Sequence, residues 1–463
     1  MTMSTQTPSL KISRYLAVSP AVGRRAFRMV YSTRSARALL VSDADWSDVQ
    51  QGHLSQLPAA LRQAMTEHKI LVPAEEDERS QVIAYNKAAI AADDLLYLAI
   101  APSANCQLGC DYCGQQHENR RMDDSIMRGV LQRAQEKLKR RACTRHFQIG
   151  WFGGEPLLGM ANIRIMTPQL QELARQHQLS YSAQMATNGV ALTPRLFFEL
   201  VQQHQVMAFD ITLDGAQADH DRRRVTKDGR PSFKRILNNL KGIAADPRFA
   251  DCGARISIRC NVDSRNHEGT LALLDTLIAH DLLRHFQFYT APVHSWGNDA
   301  HLTSLSQQQY ADFEVDLLAR LMNAGHAPRL LPKTLTPIVC MSLRPDAELT
   351  DPYGETFNCT EISQVPAYKE VRFYRLGELG QPAPVPPRER PFGDWNDRIL
   401  AGDVPCHNCR ILPICGGQCP KKWLEGISPC PSIKHNIESR MTLEMVRLNR
   451  QNGLIHSHET AEA

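Results

Sequence analysis

The chain has 463 residues, 43% apolar and 22% charged, a composition that describes a soluble globular protein of two or three domains. Basic residues outnumber acidic ones 53 to 49, a surplus too small to argue for nucleic acid. No apolar run approaches the roughly 18 residues of a membrane span, and the N-terminus has basic residues without the apolar block of a signal peptide. The expected location is therefore cytoplasmic, with neither membrane nor nucleic acid as partner. There, thirteen cysteines read as metal ligands rather than disulfides.

Residues 1–10 form a polar tail. Residues 11–90 read as a small α+β unit with strands at 12–18, 28–31 and 36–41. A helix follows, capped by Ser42 or Asp43, then a second helix after Pro58 and a short strand at 69–72. The acidic stretch AEEDERS begins a connecting helix.

From Asp94 apolar strands alternate with amphipathic helices. Strands are expected at 95–101, 146–152, 181–186, 207–213, 255–262 and 286–290, with helices at 124–140 and 194–205 among the connections. That order predicts a parallel sheet with helices outside, a partial or complete barrel. Chemistry in such folds collects at the carboxyl ends of the strands. After about Lys333 the periodicity fades and cysteines become dense. Residues 364–396 read as a Pro-rich loop, and a final helix at 437–452 precedes a polar tail. The expected domains are 1–90, 91–330, 331–436 and 437–463.

Cys106-x3-Cys110-x2-Cys113 follows the first barrel strand. Three thiolates on one tight loop can hold three irons of a [4Fe–4S] cluster and leave the fourth open. The plainer alternative is zinc, with His117 as the fourth ligand. Gly153-Gly154-Glu155-Pro156 follows the second strand. Two glycines let backbone approach a ligand, and an exposed carboxylate or carbonyl there could accept from an ammonium. Thr187-Asn188-Gly189 ends the third strand and Thr212-Leu213-Asp214-Gly215 the fourth, followed by His220, Asp221 and Arg224. Near the C-terminus stand Cys340, Cys359, Cys406, Cys409, Cys415, Cys419 and Cys430, seven where a zinc ribbon needs four.

These motifs resemble the radical S-adenosylmethionine (SAM) superfamily. The C-terminal spacing resembles its SPASM extension, and Tyr112 fills the aromatic position before the third cysteine. The resemblance implies an α/β partial (β/α)6 TIM-like barrel. It adds an N-terminal α+β, winged-helix-like unit and a C-terminal loop-rich SPASM iron–sulfur domain. The implied cofactors are SAM and three [4Fe–4S] clusters, one SAM-binding and two auxiliary. Cys106, Cys110 and Cys113 would hold the first, catalytic cluster. Tyr112, Gly153, Gly154, Glu155, Thr187, Asn188, Thr212 and Arg224 would contact SAM, unless Thr212 is only a strand-end hydroxyl and Arg224 a surface arginine beside Arg222 and Arg223. Cys406, Cys409, Cys415 and Cys430 would hold one auxiliary cluster, and Cys340, Cys359 and Cys419 the other. The latter lacks a fourth cysteine, leaving an open iron or a substitute such as Asp346. Cys143, Cys252 and Cys260 read as packing residues.

Within that superfamily the sequence looks most like the maturases of ribosomally made precursor peptides, which form carbon–carbon, ether or thioether crosslinks or epimerise a residue. The N-terminal unit resembles leader-recognition domains, which take the leader as an added strand; a purely structural extension is the alternative. Anaerobic sulfatase-maturing enzymes, which oxidise Cys or Ser to formylglycine, are a second reading. They use an acidic residue directly after the second SPASM cysteine, where this chain has Thr360 with Glu361 beyond. A non-catalytic iron–sulfur protein is a third reading, and it would need no SAM pocket. The implied partners are a peptide or protein substrate and a one-electron reductant of flavodoxin or ferredoxin type. Tyr289, His294 and Trp296 either contact substrate or pack in the core.

Overall fold

The computed structural model describes residues 9–22, 26–380 and 390–451, so most of the two expected tails and residues 381–389 of the Pro-rich stretch lie outside it. The described residues divide into two compact units, one drawn from Met1–Ala91, Gln307–Val339 and Asp394–Ala463, the other from Ala92–Ser306 and Cys340–Gly393. The residues expected to form the SPASM domain are shared between the two.

In the first unit β1 (Leu10–Ile12) and β2 (Leu16–Val18) replace the single expected strand at 12–18. The break falls at Ser13 and Arg14, where Ser13 Oγ and the Arg14 amide both bond to the Glu78 carboxylate. β2, β3 (Phe27–Ser32) and β4 (Arg37–Ser42) form an antiparallel sheet in that order, while β1 pairs with β5 (Leu71–Pro73). Ser42 caps the helix Asp43–Gln50 by accepting from the Asp45 amide at 3.0 Å. The C-terminal helix begins at Ile433, earlier than expected, with a non-helical kink at Asn436. Asn436 Nδ2 donates there to the Ala311 carbonyl at 2.9 Å.

The second unit is built on a nine-stranded sheet that starts with six parallel strands, β6 (Leu95–Ile100), β7 (His146–Trp151), β8 (Ser180–Thr187), β9 (Val206–Thr212), β10 (Arg255–Val262) and β11 (Gln287–Pro292). Each pairs with the next in chain order, as right-handed β-α-β connections arrange. This is the expected α/β partial barrel. Burial follows the two-residue period: Leu96, Leu98, Phe147, Ile149, Phe209, Ile211, Ile256 and Ile258 are buried. The intervening Tyr97, Gln148, Gln184, Asp210, Thr212 and Arg259 share the opposite, only half-buried face. Two of the helices between strands are capped by side chains, Asp123 accepting from the Ile126 amide and Thr193 from the Leu196 amide.

Beyond residue 340, where the sequence shows little regularity, three short strands extend the sheet. β12 (Glu348–Thr350) runs parallel to β6, and β13 (Glu355–Phe357) and β14 (Arg375–Glu378) are antiparallel. Three or four residues are too few to show a period, and the core position of β12 is charged. Glu348 is buried against Arg133 and lies 3.0 Å from Lys137 Nζ. Among the described residues no helix is long and apolar enough to cross a membrane.

Candidate active site

The loop leaving β6 carries Cys106, which is buried, and Cys110 and Cys113, which are partly exposed. Its backbone is pinned by Gly109 N to Val225 O at 2.9 Å and Asp111 N to Arg223 O at 3.1 Å. Asn298 Nδ2 donates to the Tyr112 carbonyl at 3.0 Å. Gly114 is needed at this crossing, since a Cβ would stand 2.5 Å from the Trp296 carbonyl oxygen. Desolvation pushes the Cys106 thiol up to about 11 and Cys110 up to about 12, and Cys110 also feels the other two sulfurs. Water alone does not ionise such thiols; coordination to iron does. His117 Nε2 lies 4.0 Å from Cys113 Sγ, and burial lowers its pKa to about 4. Among the described residues no three His, Cys, Asp or Glu converge on a single ion. A four-iron cluster spreads its thiolates more widely.

The turn after β7 packs directly on this loop. Gly153 has φ +111°, and a Cβ on Gly153 would approach the Ser103 carbonyl oxygen to 2.7 Å, one on Gly154 the Asn105 carbonyl oxygen to 2.7 Å. The Glu155 carboxylate is fully buried, not exposed. It accepts from Thr187 Oγ1 at 2.7 Å, the Asn188 amide at 2.8 Å and the Leu157 amide at 3.0 Å. Glu155 and Thr187 thus bind the ends of β7 and β8 together, and the turn offers backbone carbonyls to an ammonium. Asn188 Nδ2 reaches Cys106 Sγ at 3.6 Å, while Asn188 Oδ1 accepts from Gln107 Nε2 at 3.2 Å.

On the far side, Tyr112 Oη donates to Asp214, which is fully buried and also accepts from the Asn261 amide at 2.7 Å. Arg224 donates to Tyr112 Oη, and its guanidinium lies 3.7 Å from the Asp214 carboxylate. Burial opposes its charge, but Cys110, Tyr112 and Asp214 hold its pKa well above the ordinary arginine value. Arg224 is therefore no surface arginine. Arg223 is buried too, 5.2 Å above the Tyr112 ring and paired with Asp263 at 3.2 Å. Only Arg222 is exposed, paired with Asp219. Thr212 stands on the lumen face of β9, level with Arg259. Buried atoms here without a hydrogen-bond partner among the described residues include Arg224 Nε and Gln107 Oε1, beside Arg223 Nε and Nη2. A donor and an acceptor left open beside three thiols fit a polar ligand seated on a metal cluster.

His220 is fully buried, its Nδ1 accepting from the Asp214 amide at 3.1 Å. Burial first, then Arg224, lowers its pKa to about 3. The folded protein keeps this ring neutral while the unfolded chain protonates it below its ordinary value near 6.5. Stability is therefore complete above about pH 6.5 and falls as pH drops toward about 3, by on the order of 2 kcal/mol at pH 5. Urea unfolding at pH 7 and pH 5 should show that loss, and His220→Gln should flatten it. An equal loss in both proteins would contradict the assignment.

Several lumen residues carry no sequence motif. Tyr289 Oη donates to Asp210 Oδ2 at 2.8 Å, and Tyr289 is 39% exposed, so it is not core packing. Asp210 Oδ1 has no partner among the described residues. Burial is what chiefly raises the Cys113 thiol, with Glu361 a lesser contributor, and Tyr289 and Asp210 raise Arg259 against its burial, with Glu361 after them. Asn261 and Asp210 could have been found as polar residues on the polar face of apolar strands. Glu361 lies on a loop, and no such signal exists for it.

In the other unit, Cys406, Cys409, Cys415 and Cys430 line one cavity. Burial, then the neighbouring sulfurs, pushes Cys406 up to about 12; Cys415 is pushed to about 12 by burial and feels the same thiols. Cys419 follows in this unit, at the start of the helix Pro420–Leu424, whereas Cys340 and Cys359 belong to the barrel unit. Cys340 Sγ lies 2.8 Å from Ser342 Oγ. Asp346 lies 3.5 Å from Arg140 and 3.9 Å from Lys137, so its carboxylate is shared with two cations. Of the remaining thiols Cys260 is buried as expected for packing, but Cys143 is exposed, which overturns that reading for it.

Fold and site together define a parallel α/β partial barrel with a three-thiol loop and a polar cradle at the carboxyl ends of its strands. Residues 100–245 match the family model described as the Radical SAM superfamily. The chain thus carries a radical SAM domain over those residues, the domain of enzymes whose cofactors are SAM and a [4Fe–4S] cluster. Over 150 residues it is 25% identical to an uncharacterized protein, sll1766, of Synechocystis, a match spanning 31% of this chain and 36% of that relative. The chain thus spans about a third of the length of that curated relative. Among solved structures, native anSMEcpe with bound AdoMet has TM-score 0.55 at 16% identity, over 78% of this chain and 100% of that one. The form with AdoMet and the Cp18Cys peptide has TM-score 0.55 at 17% identity, with the same coverage. Streptococcus suis SuiB bound to precursor peptide SuiA gives 0.46 at 12% identity, over 90% and 97%. At such identities the likeness is one of fold.

Proposed function

We propose that this enzyme modifies a ribosomally made precursor peptide, forming a crosslink or epimerising a residue. The observation that carries the reading is the free edge of the N-terminal sheet. β4 ends the order β2-β3-β4, and beside it runs a groove lined by Tyr31, Ala38, Leu40, Arg329, Lys333 and Leu448. Leu40 is 49% exposed there. An apolar strand edge with basic rims suits an extended acidic leader. A structure of similar fold, anSMEcpe, holds AdoMet together with a peptide.

When bound, SAM on the cluster supplies a 5′-deoxyadenosyl radical that takes hydrogen from an unactivated carbon. The chain's own residues place it. Cys106, Cys110 and Cys113 would hold the metal, and Asn188, itself held by Gln107, donates to the first of these sulfurs. The carbonyls of Gly153 and Gly154 would receive the SAM ammonium. Arg224, fixed by Tyr112 and Asp214, offers its open Nε to a carboxylate, and Thr212 its hydroxyl to the nucleoside side. Asp210, Tyr289 and Arg259 line the lumen where the peptide side chain would enter. One auxiliary cluster is assigned to Cys406, Cys409, Cys415 and Cys430, the other to Cys340, Cys359 and Cys419. Residues 1–90 are assigned to leader recognition, 91–330 to the barrel, 331–436 to the auxiliary clusters and 437–463 to a closing helix and tail.

The test is a search of the neighbouring open reading frames for a short precursor-like peptide, then mass spectrometry of that peptide after incubation with enzyme, SAM and a one-electron reductant. Loss of two hydrogens reports a crosslink; unchanged mass with deuterium uptake from solvent reports epimerisation. A peptide unaltered in both respects would contradict the proposal. Leu40→Glu should weaken peptide binding about tenfold or more, from a charge buried at an apolar contact and repulsion of an acidic leader, while peptide-free SAM cleavage stays unchanged. Fluorescence anisotropy with labelled peptide measures it. The position of Glu361 favours one second reading, formylglycine-type oxidation with that carboxylate as base. Conversion of a Cys- or Ser-bearing sulfatase peptide would select it.

A further inference from the structure

One ammonium faces the four thiols of the C-terminal cavity. Lys434, in the first turn of the helix Ile433–Gln451, lines that cavity with Cys406, Cys409, Cys415 and Cys430. Its Nζ donates to Cys430 Sγ at 3.3 Å. Among the described residues no carboxylate lies within ion-pair distance of it. Lysines are mostly exposed and turned to water or to a carboxylate. This one is half-buried and turned to sulfur.

We propose that Lys434 is a positioning residue that sets the reduction potential of the cluster on these four cysteines, keeping it reducible. The inference rests on the assignment of that cluster given above. Reduction brings one electron from the external reductant; no bond forms or breaks, and Lys434 keeps its proton. An added electron makes an already anionic assembly more negative. A fixed positive charge at a ligating sulfur stabilises the reduced state and raises the potential.

The experiment is an anaerobic redox titration, followed by electron paramagnetic resonance, on reconstituted full-length protein. Cys106, Cys110, Cys113 and Cys359 are replaced by alanine so that this cluster alone contributes. Lys434→Gln should retain the iron and sulfide content and shift the midpoint to a more negative potential. Lys434→Arg should restore it. An unchanged midpoint in Lys434→Gln would overturn the proposal. So would an equal shift in both variants, or loss of iron from Lys434→Gln, since the side chain would then only hold the fold. A Cys409→Ser arm separates the premise: if iron is undiminished there, the cluster assignment itself fails. If iron falls there while Lys434→Gln leaves the midpoint unmoved, the cluster stands and only the lysine's role is lost.

Discussion

Exchanging Cys110 for serine should abolish reductive cleavage of SAM and remove the iron of one cluster. The loop holds three thiols for three irons, and without Cys110 only two of them remain. Losing an outer partner of a metal ligand costs roughly 10–100-fold; losing the ligand should exceed that and bring 5′-deoxyadenosine formation to background. Chromatography of the reduced, reconstituted variant measures it, beside iron analysis. Cleavage at wild-type rate would show that these cysteines are not the radical-generating site.

Glu155→Ala should be the most destabilising single change at the site. It removes the acceptor of three buried donors, the Thr187 hydroxyl and the Asn188 and Leu157 amides. Each orphaned donor costs about 1–3 kcal/mol, so the total is several kcal/mol. Thermal unfolding should show a large fall in midpoint, and SAM binding should weaken because Asn188 and the glycine turn lose their tether. Glu155→Gln keeps the volume and one acceptor oxygen and should lose less. If Glu155→Ala melts as the parent does but binds no SAM, the carboxylate meets ligand directly and the tethering role is wrong.

The barrel was legible because its strands are apolar, spaced by amphipathic helices, and ended by motifs whose chemistry requires them. Glycines at 153 and 154 and cysteines at fixed offsets carry their reason in their identity. What sequence reasoning missed has a different physical basis. β12 has a buried glutamate balanced by Arg133 and Lys137, a pairing that arises only when residues over 200 positions apart come together. The strand expected at 12–18 splits because Ser13 and Arg14 answer a carboxylate 64 residues or more away. At the site, sequence placed Glu155 as a ligand contact, whereas its neighbours on β8 consume the carboxylate. Arg224 sits in a run of three arginines that sequence cannot tell apart; only the buried Asp214 and Asp263 sort them.

The measurement that bears most directly on the account is hydrogen transfer from peptide to SAM-derived product. A precursor peptide from a neighbouring open reading frame, deuterated at its side chains and α-carbons, is incubated with reconstituted enzyme, SAM and reductant, and the 5′-deoxyadenosine is weighed by mass spectrometry. The account predicts deuterium in 5′-deoxyadenosine, in step with modification of the peptide. Product free of deuterium at every labelled position, formed at the same rate with and without peptide, would contradict it.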